Sequence, residues 1–121
     1  MTAPAWIAVG LLGGLAAAVR FLVDAEVAAR AKNEFPLGIL VVNLSASLAL
    51  GLVAGAALGG TALMIVAGGG IGSYSTFSTW ILDSHRLDAA GQARLAWLNI
   101  GLSLVAGFAA VALGHWLGGL L

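Results

Sequence analysis

Four apolar stretches, at about residues 4–29, 35–58, 62–82 and 93–121, take up almost the whole chain. Each is long enough, or nearly so, to cross a hydrocarbon core of ~30 Å. Lipid offers no water to backbone N–H and C=O groups, so such stretches are expected to close their own hydrogen bonds as helices. Only 8% of the residues are charged and the mean hydropathy is +1.07, where a soluble domain carries about 25% charge. The expectation is an all-α integral membrane protein, with residues 1–121 forming one unit of four transmembrane helices. Almost no chain remains for a soluble domain. With no cysteine, disulfides and thiolate metal sites are excluded. The net charge of zero removes any electrostatic case for nucleic acid. The N-terminal residues have no basic n-region, so the first stretch does not read as a cleaved signal peptide.

The third stretch departs from this pattern. Gly68–Trp80 reads GGGIGSYSTFSTW: four glycines in five positions, then a series rich in hydroxyls and aromatic rings. Glycine weakens a helix and hydroxyls compete for its backbone bonds. Irregular backbone at membrane depth is tolerated only where protein buries it or where it lines a cavity. A break near residues 68–75 is therefore expected, with a site around it. Beyond it, Ser75, Ser78 and Thr79 share one helical face and Phe77 and Trp80 another.

The other stretches supply polar groups sparingly. In the first, Trp6 suits an interface and Gly10, Gly14 and Ala18 form a small-residue face for helix approach. Arg20 follows, pairing with Asp24 one turn on, lining a watery vestibule that attracts anions, or both. Asn43, Ser47 and Gly51 recur at four-residue spacing in the second stretch, and Asn99, Ser103 and Gly107 do so in the fourth. A mid-membrane asparagine either glues helices or donates to a ligand. His85 reads as a solvated loop residue, and His115 with Trp116 suits the far interface. The basic residues near the loops, Arg30, Lys32, Arg86 and Arg94, all fall on one side of an alternating four-span path. The positive-inside rule puts that side in the cytoplasm and both termini outside.

The chemistry follows from what these residues can and cannot do. The membrane stretches hold no paired carboxylates, no nucleophilic triad, no His or Cys ligand cluster and no phosphate-binding loop, so an enzyme is not expected. Instead there are neutral donors: Asn43, Ser75, Ser78, Thr79, Asn99 and Ser103, beside Phe77 and Trp80. Such a set suits an ion that must shed water without being trapped by a full opposite charge. Hydroxyls and amides donate to an anion, and aromatic rings present positive edges to one. Carbonyls released at a break can hold a cation. So small a bundle encloses little interior, so a pathway between two copies is expected.

Four motifs then resemble one family, the Fluc or CrcB family of small bacterial fluoride channels. Residues 13–21, GGLAAAVRF, are similar to its GGxxGAxxRY. Residues 38–47, GILVVNLSAS, are similar to GTLxVNxxGS. Residues 72–80, GSYSTFSTW, are similar to GGxTTFSTF, the most specific of the four, and residues 99–107, NIGLSLVAG, are similar to YxxxSxxxG. The resemblance covers nearly the whole chain. It implies an antiparallel dual-topology dimer in the bacterial inner membrane, passing fluoride out of the cytoplasm through two pores at the subunit interface. It also implies a central structural sodium ion on the backbone carbonyls of Gly72 and Ser75. By position, Asn43 matches the pore asparagine, Phe77 and Trp80 the pore aromatics, Ser103 the polar-track serine and Arg20 the vestibule arginine.

The chain departs from the pattern at Ile39, Ser73, Trp80 and Asn99, where the motifs have Thr, Gly, Phe and Tyr. These changes are expected to alter conductance before selectivity. The one-sided basic count is unusual for a chain inserting both ways, and some family members pair with a homologous subunit of fixed, opposite orientation. The alternative reading is a small proton-coupled multidrug exporter. That class needs a membrane-embedded glutamate in its first helix, and the first nineteen residues here contain no acidic residue.

Overall fold

The computed structural model describes all residues, Met1–Leu121, and is helical throughout with no strands. Helix α1 spans Ala3–Ala31 and α2 Leu37–Gly55. The third stretch is composite: α3 (Gly60–Leu63), a π-helix (Met64–Ile71) and α4 (Gly72–Tyr74) run on from one another. After Ser75–Phe77 the chain resumes as α5 (Ser78–Ala89), and α6 covers Ala93–Gly118. Three helices, α1, α2 and α6, are long and apolar enough to cross a membrane.

Local chemistry sets the ends. The Thr2 hydroxyl accepts the Ala5 N–H at 3.4 Å and proline sits in the first turn of α1, where its missing donor does no harm. Lys32, in the left-handed region at φ 50°, closes α1. Gly91 at φ 81° turns the chain from α5 into α6. Ala57 takes φ 58° after α2, a conformation that disfavours a Cβ.

Helices α2 and α6 pack backbone against backbone. A Cβ on Gly51 would run into the Val111 carbonyl, and one on Gly55 into that of His115. Gly114 and Gly118 face the carbonyls of Leu48 and Leu52 in the same way. Each helix thus carries a Gly-xxx-Gly pair that the other fills, the close approach small residues permit between apolar helices. Val42 and Asn99 are the largest side chains fully enclosed within the bundle.

Gly68–Gly72 does not break the helix near residues 68–75. The run is wound as π-helix and then as α4, and helical geometry ends at Ser75–Phe77. Gly69 and Gly70 serve packing against α1, whereas Gly68 has open space around it. A Cβ on Gly69 would press on the Val9 backbone at 3.1 Å, and one on Gly13 would lie 3.3 Å from the Gly69 carbonyl. The small-residue face of α1 used for this contact is therefore the one with Gly13. Gly10 and Gly14 have nothing near them and face outward.

Both polar loops lie at one end. Asp24, Asn33 and Glu34 share a cavity of about 370 Å³ there with Asp83 and Arg86. Burial pushes the Asp83 carboxyl above its ordinary value, the nearby Asp24 adds to this, and Arg86 at 3.8 Å opposes it. Arg20 does not pair with Asp24: the two ion pairs are Arg30–Glu26 and Arg86–Asp83. Asp24 instead packs on Gly38, at the start of α2.

Candidate functional site

The site is built on the three non-helical residues. A helix continued through them would pass the Thr76 N–H to the Gly72 carbonyl. Asn43 intervenes from α2. Its Oδ1 accepts the Thr76 N–H at 2.9 Å and its Nδ2 donates to the Thr76 carbonyl at 2.9 Å. One side-chain amide thus satisfies both backbone groups of one residue, the role a neighbouring strand would play. This accounts for a polar residue in the middle of α2, and it leaves Asn43 one spare N–H. Thr76 itself starts α5: its hydroxyl accepts the Thr79 N–H at 3.3 Å and donates to the Thr79 hydroxyl at 3.2 Å.

Around this clamp lies a cavity of about 260 Å³ lined by Asn43, Ser47, Ser75, Thr76, Phe77, Trp80, Ser103 and Leu104. None of these is charged. Five of the expected residues, Asn43, Ser75, Phe77, Trp80 and Ser103, are therefore together. A second cavity of about 240 Å³ shares Ser47, Ser103 and Leu104 and continues along α6 past Gly107 and Phe108 to Val111. Phe77, 71% exposed, stands at the open side, its ring edge-on to Trp80 with centroids 5.4 Å apart at 75°.

The remaining expected residues lie elsewhere. Ser78 faces outward and lines neither cavity. Thr79 is occupied with the Thr76 hydroxyl. Asn99 is 1% exposed and behind the wall, donating through Nδ2 to Ser84 Oγ at 2.9 Å. Arg20 is half-exposed on α1, away from both cavities. Gly72 lies in the last turn of the helical arm, its carbonyl passed over by Thr76. Sequence reasoning missed Thr76 and Ser84 as members of the site. The available signal for Thr76 was a hydroxyl residue of the capping type just ahead of the resumed helical run. Nothing in the sequence marks Ser84.

What the wall offers is neutral hydrogen-bond donation. Ser75 makes no side-chain hydrogen bond within the chain, so its hydroxyl is free to donate, as is the second N–H of Asn43. With no fixed charge, the wall can replace part of an anion's water shell and still release it.

Long apolar helices, a helical arm interrupted at one clamped residue and an uncharged donor-lined cavity define a multi-pass membrane protein with a polar site at that interruption. The family described as CrcB-like protein, Camphor Resistance (CrcB), matches residues 7–115, and the chain belongs to that family. Among curated relatives, "Fluoride-specific ion channel FluC 2" of Mycolicibacterium paratuberculosis is 45% identical, over 96% of this chain and 95% of its own. The protein of the same name from Mycobacterium bovis is 44% identical, over 97% and 93%. "Fluoride-specific ion channel FluC 1" of Symbiobacterium thermophilum is 38% identical, over 93% and 96%.

Proposed function

We propose that this chain is a subunit of a fluoride channel of the bacterial inner membrane, through which fluoride leaves the cytoplasm passively. The observation that carries the reading is the uncharged cavity where Asn43 clamps the Thr76 backbone. Relatives that align over nearly their whole length are named for the same ion. In acidic surroundings part of the fluoride is protonated to neutral HF, which crosses the membrane, dissociates in the less acidic cytoplasm and is trapped there as the anion. A passive pore lets it follow its own gradient out.

In this reading the arm 60–74 and the first turns of α5, up to Leu82, form the third of four crossings, joined at Ser75–Phe77, and the rest of α5 extends beyond the membrane. Two copies lie antiparallel and close the open side at Phe77. Fluoride gives up water to the spare Asn43 N–H and the Ser75 and Ser103 hydroxyls, while the Phe77 ring presents an edge. A structural sodium ion fits the donor set: the Gly72 carbonyl is released by the Asn43 clamp and Ser75 lies outside any helix. No cluster of His, Cys, Asp or Glu competes for it. Gly72 and Ser75 would hold it through their carbonyls, and it supplies a fixed positive charge beside the anion path. Arg20, which lines neither cavity, is assigned to the vestibule by the family resemblance alone.

The test is fluoride efflux from liposomes containing the purified protein, alone and with a homologous partner subunit, followed with a fluoride electrode. Flux above that of empty liposomes is expected. Intact dimers that carry no fluoride in either case would end the proposal.

A further inference from the structure

Behind the cavity wall four side chains form one connected network between α5 and α6. Trp80 Nε1 donates to the Asn99 backbone carbonyl at 3.3 Å. Ser84 Oγ donates to the Trp80 carbonyl at 3.0 Å, and Asn99 Nδ2 donates to Ser84 Oγ at 2.9 Å. Ser103 Oγ donates to Asn99 Oδ1 at 3.5 Å. Trp80 and Ser103 line the cavity, whereas Asn99 does not.

The directions are fixed by proton count. Ser84 has one proton and gives it to the Trp80 carbonyl, so its oxygen is left to accept. It accepts from Asn99 Nδ2, which turns the amide oxygen toward Ser103. Ser103 also has a single proton, and two acceptors compete for it: the Asn99 oxygen behind the wall and any anion in front of it. At 3.5 Å the amide bond is at the limit of useful length. A bond to an ionised acceptor is roughly twice as strong as a neutral one.

We infer that Asn99 is a positioning residue: its amide oxygen holds the Ser103 proton away from the cavity until an anion takes it. Ser103 thus presents an oxygen lone pair to the empty cavity and a donor to the occupied one. Occupancy by an anion then costs the Ser103–Asn99 bond, which weakens binding and speeds release. The Trp80 N–H is outside this exchange, because it rests on a backbone carbonyl that no side-chain substitution removes.

This inference rests on the fluoride reading above. The test measures how efflux rate depends on fluoride concentration in four proteins: wild type, Ser103→Ala, Asn99→Leu with Ser84→Ala, and all three changes together. Removing Ser84's hydroxyl with the amide avoids leaving it unpaired. Freeing the Ser103 proton should lower the half-saturating fluoride concentration, by at most about fivefold, the factor one full neutral hydrogen bond contributes. That shift should vanish when Ser103 is alanine. A merely loosened α5–α6 contact would lower the rate or the dimer content without depending on Ser103. Where the paired variant does not elute as the wild-type species, Asn99→Gln takes its place. It moves the amide by one methylene and should shift the value the same way by less. Wild-type flux with no shift, or with a shift that survives Ser103→Ala, overturns this inference alone. A wild type that carries no fluoride, alone and with a homologous partner subunit, overturns the proposed function and this inference with it.

Discussion

At Asn43 a single side chain both closes the interrupted backbone and faces the cavity, so its substitutions separate two kinds of failure. Asn43→Asp keeps the acceptor for the Thr76 N–H but turns a carboxylate oxygen toward the Thr76 carbonyl and puts negative charge on the anion path. Fluoride efflux should fall at least about tenfold, the effect of roughly 1.4 kcal/mol of added barrier. Unchanged efflux in that variant would show that the clamp is structural glue alone. Trp80→Phe removes the indole bond to the Asn99 carbonyl while keeping an aromatic ring beside Phe77. A buried neutral hydrogen bond is worth about 1 kcal/mol, so melting in detergent should register a loss of that size while efflux persists. Much of the wall was legible at this scale, because Asn, Ser and aromatic residues are rare enough in apolar helices to stand out. Which of them point inward was less so. Ser78 and Thr79 share a helical face with Ser75, but Ser75 lies outside α5, so the shared periodicity does not hold. Asn99, marked by polarity as a pore residue, is buried between α5 and α6, where Ser84 and Ser103 satisfy its amide.

Among the elements, the glycines do two jobs that look alike in sequence. Glycine weakens a helix through backbone entropy, and that argument placed the interruption near residues 68–75. In an apolar setting every backbone group must be paired, so the run stays wound, as π-helix, and its bare surface admits α1 at Val9 and Leu12. The interruption falls instead at Thr76, where a partner 33 residues away supplies the missing bonds. No local pattern announces such a partner. The α2–α6 seam makes the same point about packing. Gly114→Ala should destabilise by about 1–3 kcal/mol through overpacking against the Leu48 carbonyl. Gly101→Ala, on an exposed face with nothing near it, should stabilise by about 0.5–1 kcal/mol. Thermal unfolding of the two variants in detergent checks the contrast, and equal shifts would mean that the seam is looser than the structure has it.

The whole molecule leaves most of its large apolar side chains outside, Phe21, Phe77, Val105 and Phe108 among them. Lipid covers such a surface in part, and a second copy is the proposed cover for the open side at Phe77. Both polar loops gather at one end, around Asp24, Asp83 and Arg86. The Asp83 carboxyl, pushed above its ordinary value by burial and by Asp24, favours the protonated form in the fold. Its contribution to stability is therefore present at low pH and is lost as pH rises from the ordinary value of 3.8 through the raised one. Asp83→Asn should flatten that part of a stability–pH profile in detergent, and an unchanged slope would mean that another group carries it. The chain has no cysteine, so single cysteines can report its orientation. Asn33→Cys, in the exposed polar loop, should react with an impermeant maleimide from both sides of the membrane if single chains insert both ways. Reaction from one side only would mean a fixed orientation and a homologous partner.

In the proposed function, the cavity of neutral donors at the Asn43–Thr76 clamp passes fluoride. This is tested most directly by parallel fluoride and chloride efflux from liposomes loaded with both salts, comparing wild type with Asn43→Asp. Fluoride should leave faster than from empty liposomes, chloride should not, and the substitution should suppress the fluoride signal. Equal release of both anions, or fluoride release indifferent to Asn43→Asp, would contradict it.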